Sequence, residues 1–114
     1  MIDATLFQES GRLAGCRMEG HSGWAEEGRD IVCAAASILG CTCVNALESV
    51  CGIIPEIREN ENGSLWFELP ETLTEAENAK AQILMGALRQ GLRDLTEAYP
   101  ENIHLREKER RKRT

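Results

Sequence analysis

The sequence has few aromatic residues and no long uninterrupted apolar run. Its 114 residues include two Trp, one Tyr and two Phe, so a core must consist mainly of Ala, Leu, Ile and Val. No run approaches the roughly 18 apolar residues of a membrane span, and the N-terminus lacks the basic and then apolar order of a signal peptide. These absences predict a single domain in the cytoplasm, with no membrane partner.

Cysteine occurs five times, an odd number, and there is no Cys-x-x-Cys pair. Without a secretion signal, this usage favours reduced thiols over a disulfide framework. Cys41 and Cys43 do not have a zinc spacing, and within a helix their side chains point in different directions. We therefore expect neither a metal nor another cofactor.

The charge is divided between an acidic body and a basic end. From residue 106 onward there are six Lys or Arg and two Glu, a net charge of +4. Because the whole chain has a net charge of −6, residues 1–105 have a net charge of −10. An acidic body attracts basic partners, although the same acidity also serves solubility. The tail, residues 106–114, is expected either to be disordered or to contact phosphates of a nucleic acid.

The residues that can carry chemistry lie within positions 20–37. Asp30 is a favourable N-cap for the Ala-rich helix that follows. Cys33 would then be the third helical residue, where the positive end of the helix dipole favours a thiolate. His21, on a loop between two glycines, could fold over this thiol and complete the thiolate–imidazole pair of cysteine nucleophiles. The N–H of Cys33 and its neighbours could bind the developing oxyanion.

Several supporting roles remain open from the residues alone. Ser37 lies one turn after Cys33 and could donate to the thiolate, to substrate, or back to the helix. Asp30 could orient the imidazole, cap the helix, or both. The residues on either side of His21, which are Gly20, Ser22 and Gly23, would form a loop whose glycines let the backbone approach the substrate closely. Taken alone, a cysteine in an Ala-rich helix is also typical of a small buried core residue.

These motifs resemble the signature of the ribosomal-processing cysteine protease (Prp) family. The run Gly-His-Ser-Gly-Trp-Ala, followed by Gly-Arg-Asp-Ile-Val-Cys-Ala-Ala-Ala-Ser, is similar to the family pattern Gly-His-x-Gly and Asp-x-Val-Cys-Ala-Ala-x-Ser. Ser22 replaces the more usual Ala, Trp24 stands where Tyr or Phe is expected, and the basic tail is longer than is typical of the family. A second similar segment contains Gly91-Leu92, Leu95, Tyr99-Pro100 and Ile103.

The resemblance implies an endopeptidase with catalytic His21 and Cys33, and places Asp30 and Ser37 at motif positions. Its implied substrate is the N-terminal extension of large-subunit ribosomal protein L-twenty-seven, removed in support of ribosome assembly. It also implies a homodimer, and it makes rRNA a reasonable target of the basic tail. Two alternatives stay open: a non-enzymatic ribosome-associated binding module with a buried Cys33, and a redox sensor that pairs Cys33 with Cys16, Cys41 or Cys51.

Apolar periodicity predicts a single α+β domain over residues 1–105, in the order ββαββαβ with an antiparallel-rich sheet. The first helix, 31–51, is apolar on many sides, which predicts a central buried helix. The Asn62-Gly63 pair predicts a hairpin between strands at 52–57 and 64–69. The second helix ends near residue 98, and a short strand at 103–106 follows.

Overall fold

The computed structural model describes residues 1–20, 30–61 and 63–110. The elements are β1 (Ile2–Glu9), β2 (Arg12–Glu19), α1 (Ile31–Ser49), β3 (Glu56–Glu61), β4 (Ser64–Glu68), α2 (Glu75–Ala98) and β5 (Ile103–Glu109). The strands form one mixed sheet in the order β3-β4-β2-β1-β5. Three strand pairs are antiparallel and β1–β5 is parallel. The predicted order and fold class are confirmed.

One face of the sheet carries the core, and both helices contribute to that core. On β1, Ile2, Ala4 and Leu6 are buried, as their alternation predicts. They form one apolar cluster with residues of β2, β4 and β5 and with the inward stripes of α1 and α2. The inward residues of α2 recur at three- and four-residue intervals: Ala81, Met85, Leu88, Leu92 and Leu95.

Helix α1 is buried along one stripe, which corrects the prediction of a helix buried on many sides. Its buried residues recur at three- and four-residue intervals: Val32, Ala36, Gly40, Cys43 and Leu47. Ile38 is 63% exposed and Val50 is 72% exposed. By length and composition α1 could cross a membrane, so the sequence-based exclusion of such a segment was too strong. Its stripe packs on the sheet, as in core helices of globular domains.

One glycine sets the distance between α1 and the sheet, and another sets the distance between the two helices. A Cβ at Gly40 would overlap the Met18 methyl group and lie 2.7 Å from Leu65 Cδ2, so α1 sits directly on β2 and β4. A Cβ at Gly91 would lie 2.6 Å from Leu39 Cδ2, where α2 meets α1. The absence of a side chain at Gly40 therefore lets α1 pack closely against the sheet.

The β3–β4 hairpin lies further along the chain than predicted. Strand β3 begins at Glu56 instead of residue 52 and continues to Glu61, on the edge of the sheet. Pro55 precedes it, where the missing N–H costs no ladder bond. Gly63 has a φ of +83°, which favours glycine at the turn. Of the two adjacent aromatic residues on β4, Trp66 and Phe67, only Phe67 is fully buried in the core.

Strand β5 passes through the predicted domain boundary at residue 105. It pairs with β1 from Ile103 to Glu109. Arg93 of α2 donates to Glu107 at 2.6 and 2.9 Å. The N–H of Arg110 continues the ladder to the Gln8 carbonyl at 2.9 Å. The tail was thus predicted to begin too early: residues 106–110 belong to the folded domain, and 111–114 lie outside the described residues.

The other face of the sheet holds a buried carboxylate, Glu68, which is 2% exposed. Arg58 donates to it at 2.9 and 3.1 Å, and Arg110 binds its second oxygen. Arg110 also donates to Glu9 at 2.8 Å and stacks 5.0 Å above the Phe7 ring. Burial opposes the charge of Arg110, but its bonds to both carboxylates outweigh this and raise the pKa of the guanidinium. We call Glu9, Arg58, Glu68 and Arg110 the C-terminal clasp.

Candidate active site

Asp30 begins α1, as predicted from its residue type. Its backbone is extended, and its Oδ1 accepts a hydrogen bond from the N–H of Cys33 at 2.9 Å. Its carbonyl accepts from the N–H of Ala34 at 3.0 Å, which starts the helical ladder. Cys33 is therefore the third residue of the helix, within the turn where unpaired N–H groups concentrate positive potential.

The cap changes the expected source of oxyanion donors. The N–H of Cys33 was predicted to be one of them, but it is already bonded to the Asp30 carboxylate. The two N–H groups that precede it, on Ile31 and Val32, have no hydrogen-bond partner among the described residues. These are the helix-start donors that a substrate oxygen can use.

Cys33 lies on the wall of a cleft of about 140 Å³. Helix α1 forms one wall, and the ends of β2 and the β3–β4 hairpin form the other. Ser37 shares the wall with Cys33, as the four-residue spacing predicts. The cleft is lined by Ile2, Met18, Glu19, Gly20, Cys33, Ala36, Ser37, Cys41, Asn60, Glu61, Gly63, Ser64 and Leu65.

The five cysteines are all free thiols, but they differ in environment. Burial raises the pKa of Cys16 to about 12 and that of Cys43 to about 11, with a smaller contribution from neighbouring thiols. Cys33 is partly exposed and Cys41 is exposed, both in the cleft. A partly exposed thiol in the first turn of a helix, beside a cleft, is the arrangement of cysteine hydrolases. Among the described residues, no group of three acidic, His or Cys side chains could hold a metal ion.

Gly20 ends β2 at the mouth of the cleft. Its φ is +95°, and a Cβ there would lie 2.5 Å from the Met1 carbonyl oxygen, so only glycine fits. Its N–H donates to the Gly63 carbonyl at 2.9 Å, which ties β2 to the hairpin. The next residues, among them His21, Ser22 and Gly23, lie outside the described residues. Their roles therefore stay predictions.

Sequence reasoning missed three residues of the cleft. Cys41 follows Cys33 by eight residues, so it lies on the same helix face, and this spacing could have found it. Glu19 and Glu61 are the last residues of β2 and β3. Their meeting depends on strand pairing through β4, which no local pattern reveals.

The comparisons with known proteins agree with this arrangement. The family model described as cysteine protease Prp matches residues 1–104. Ribosomal processing cysteine protease Prp of Bacillus subtilis is 31% identical over 107 residues, covering 92% of this chain and 96% of the relative. The chain belongs to the Prp family of cysteine proteases.

Solved structures share the whole fold. SMU.848 from Streptococcus mutans superimposes with a TM-score of 0.81 and 32% identity, covering 96% of each chain. The ribosomal processing protease Prp from S. aureus, crystallised with a covalently linked product peptide, gives a TM-score of 0.84 and 30% identity. That match covers 95% of this chain and all of the other.

Proposed function

We propose that this chain is an endopeptidase in which Cys33 is the nucleophile and His21 the general base and acid. The observation that carries the proposal is the position of the Cys33 thiol: partly exposed, in the first turn of α1, on the wall of a cleft. The non-enzymatic alternative required a buried Cys33. It is therefore the weaker account. For the redox sensor, the structure disfavours only Cys16 as the partner of Cys33, because Cys16 is buried with a pKa of about 12.

In the proposed reaction, Cys33 Sγ attacks the scissile carbonyl carbon after its proton has passed to His21. The tetrahedral oxyanion accepts hydrogen bonds from the N–H groups of Ile31 and Val32. Collapse breaks the C–N bond, and His21 gives its proton to the leaving amine. Water, deprotonated by His21, then hydrolyses the thioester and restores the thiol.

Asp30 and Ser37 support this chemistry in different ways. Asp30 holds the N–H of Cys33 at 2.9 Å and so fixes the rotation of the helix that presents the thiol. Ser37 lies on the cleft wall one turn further along, where its hydroxyl can bind substrate. Gly20, Ser22 and Gly23 belong to the loop that brings His21 over the thiol and closes on the peptide.

The proposed substrate is the N-terminal extension of ribosomal protein L-twenty-seven, whose removal supports ribosome assembly. Support comes from the relatives, which are named as ribosomal processing proteases, and from the product peptide bound to the S. aureus protein. The acidic balance of residues 1–105 also favours a basic substrate such as a ribosomal protein. We also propose a cytoplasmic location, which a ribosomal substrate and the odd number of cysteines favour.

The test is cleavage of a peptide that spans the extension junction of the cognate L-twenty-seven. We expect one cut by the wild type and none by Cys33→Ala or His21→Ala, with both variants folded by circular dichroism. Cys41→Ala is the matched control, because it removes an exposed thiol from the same cleft and should keep activity. Cleavage by Cys33→Ala, or no cleavage by the wild type, would overturn the proposal.

A homodimer is also proposed, with the face formed by α1 and α2 as its interface. Ile38 and Ile83 are 63% and 74% exposed on this face. Between the helices lies an apolar groove of about 200 Å³, lined by Leu39, Ala46, Leu84 and Leu88 among others. An exposed apolar patch of this kind is typical of protein interfaces, and a two-fold axis would pair it with itself.

Sedimentation measurements test the dimer. Ile38→Glu and Ile83→Glu should each shift the protein toward a monomer, because a buried unpaired charge is costly. Val50→Glu is the control, since Val50 is equally exposed but lies past the end of α1. A wild-type monomer, or dimers in both groove variants, would exclude this interface.

The basic tail is proposed to contact rRNA. Its described part, on β5, presents the exposed side chains of Arg106 and Lys108, and three more cations follow Arg110. Truncation after Arg110 keeps the C-terminal clasp and should weaken salt-dependent rRNA binding. Unchanged binding after this truncation would contradict the contact.

A further inference from the structure

Strand β3 contributes Asn60 to the wall of the cleft that contains Cys33. Strand register places Asn60 opposite Leu65, and Leu65 opposite Met18. The side chains of Met18 and Leu65 lie against α1 at Gly40. Directly opposed residues share a face of a sheet, so the Asn60 side chain is on the face that carries α1. It therefore lies on the same side of the sheet as Cys33.

A β-bulge gives Asn60 this orientation. The register shifts between Ile57 and Glu59, so β3 carries one extra residue, Arg58. Ile57 lies opposite Phe67 and so faces the core. With strict alternation from Ile57, position 60 would face away from α1, and the extra residue reverses this. Arg58 donates to the buried carboxylate of the C-terminal clasp at 2.9 and 3.1 Å, which holds the bulge in place.

The Asn60 side-chain amide is free to bind a ligand. The residue is exposed, and its amide makes no hydrogen bond to any residue that the structure describes. Strand β3 is at the edge of the sheet, so none of the described strands covers its outer side. An amide has an acceptor oxygen and two donor hydrogens, so it can pair with both the C=O and the N–H of a peptide unit. This chemistry recognises a peptide backbone and does not depend on the side chains of the peptide.

The position of Asn60 along the cleft determines which peptide unit it can reach. Gly40, against which Leu65 lies, follows Cys33 by seven residues on α1. This corresponds to about 10 Å along the helix axis, and Asn60 lies one strand beyond Leu65, about 5 Å further out. An extended peptide at about 3.3 Å per residue covers this separation in about three or four residues.

We propose that Asn60 is a substrate-binding residue whose side-chain amide holds the substrate backbone at a peptide unit about three or four residues from the scissile bond. This rests on the proposed endopeptidase function. Because the contact is with main-chain atoms, it requires an extended segment of sufficient length on one side of the bond. It therefore contributes to the choice of substrate by length and conformation.

The test is a length series of peptides. Each peptide contains the extension junction of L-twenty-seven, and the series is shortened from about six residues to one, first on one side of the scissile bond and then on the other. The readout is the Asn60 ratio, kcat/KM of the wild type divided by that of Asn60→Ala for the same peptide. Glu59→Ala is the matched control, because it truncates the neighbouring residue on the opposite face of the same strand.

For peptides with about four or more residues on one side of the bond, we expect an Asn60 ratio of about two to ten, carried by KM. When that side is shortened to one or two residues, the ratio should fall close to one. Glu59→Ala should give a ratio close to one at every length. An Asn60 ratio of one for all peptides would overturn the proposal. A loss of equal size at all lengths would also overturn it, because a general effect on the fold does not depend on peptide length.

Recognition of the backbone is tested by a double-mutant cycle. The nitrogens of the peptide units three and four residues from the bond are methylated one at a time, on the side where length matters. The wild type should lose affinity at one of these positions, and Asn60→Ala should lose less at the same position. Equal losses in the two proteins would contradict a backbone contact at Asn60.

Failure of this proposal is distinguishable from failure of the proposed function. If the wild type cuts the longest peptide and Cys33→Ala does not, the endopeptidase stands whatever the Asn60 ratio is. If no peptide is cut, the length series is measured as binding by fluorescence anisotropy, which requires no catalysis. Comparison of Cys33→Ala with the double variant Cys33→Ala, Asn60→Ala then decides whether Asn60 holds the peptide.

Discussion

The C-terminal clasp allows the sharpest test of the fold. Glu68 is almost fully buried and bridges Arg58 and Arg110. Glu68→Gln keeps the shape of the side chain but places a neutral amide between the guanidinium groups of Arg58 and Arg110. The Arg58 side chain is half-buried. Breaking a buried ion pair by removing one partner costs about 3–5 kcal/mol. We expect the lower end, about 3 kcal/mol, because the Arg58 side chain is 46% exposed and partly screened.

Urea unfolding followed by circular dichroism measures this loss directly. In a domain of this size, about 3 kcal/mol corresponds to a fall in Tm of roughly 10–20 °C. Glu97→Gln serves as the control, since Glu97 is exposed on α2 and has no ion-pair partner in the described chain. A free energy of unfolding for Glu68→Gln within about 0.5 kcal/mol of the wild type would refute the reasoning.

Truncation provides an independent arm of the same test. A chain ending at Leu105 loses most of β5 and all clasp contacts of Arg110, whereas a chain ending at Arg110 keeps them. We expect the first chain to unfold or to be severely destabilised and the second to match the full chain. Equal stability of the two truncated chains would show that the clasp and the end of β5 do not hold the sheet.

Three further results are expected. In the native protein at pH 7, iodoacetate should modify Cys33 at least about tenfold faster than Cys16 or Cys43. The reason is that burial raises the pKa of Cys16 to about 12 and that of Cys43 to about 11. Labelling is measured by mass spectrometry, and modification of Cys16 or Cys43 before Cys33 would contradict the prediction. Gly40→Ala should lower the free energy of unfolding by about 1–2 kcal/mol through overpacking against the sheet, measured in urea. Thr74→Ala, which removes the N-cap of α2, should cost about 1 kcal/mol, and no change would argue against the cap.

The features that were predicted correctly are those set by residues close together in the sequence. The N-cap role of Asp30 and the end of the second helix near residue 98 each rest on neighbours within a few residues. These features were confirmed. The outward residues of α1 were predicted wrongly, because composition alone does not show which side of an apolar helix a sheet covers.

Features that depend on distant partners were missed. Residues 106–110 read as a charged tail, yet Arg110 is held by Glu9 and Glu68, which lie 101 and 42 residues away in sequence. Strand β3 is polar and exposed at most positions, so periodicity did not locate it, and the strand predicted at 52–57 overlaps it only at Glu56 and Ile57.

The parallel pairing of β1 with β5 has a consequence for biosynthesis. Strand β1 is an interior strand of the sheet, between β2 and β5, and its neighbour β5 comes from the other end of the domain, with Ile2 beside Ile103. Such sequence-distant pairing is slow to form, because a long loop must close first. Until residues near 109 emerge, one edge of β1 is open to other chains. The sheet is therefore complete only after β5 has been synthesised, and a chain that stops before β5 would expose an unpaired edge of β1 that is prone to aggregation.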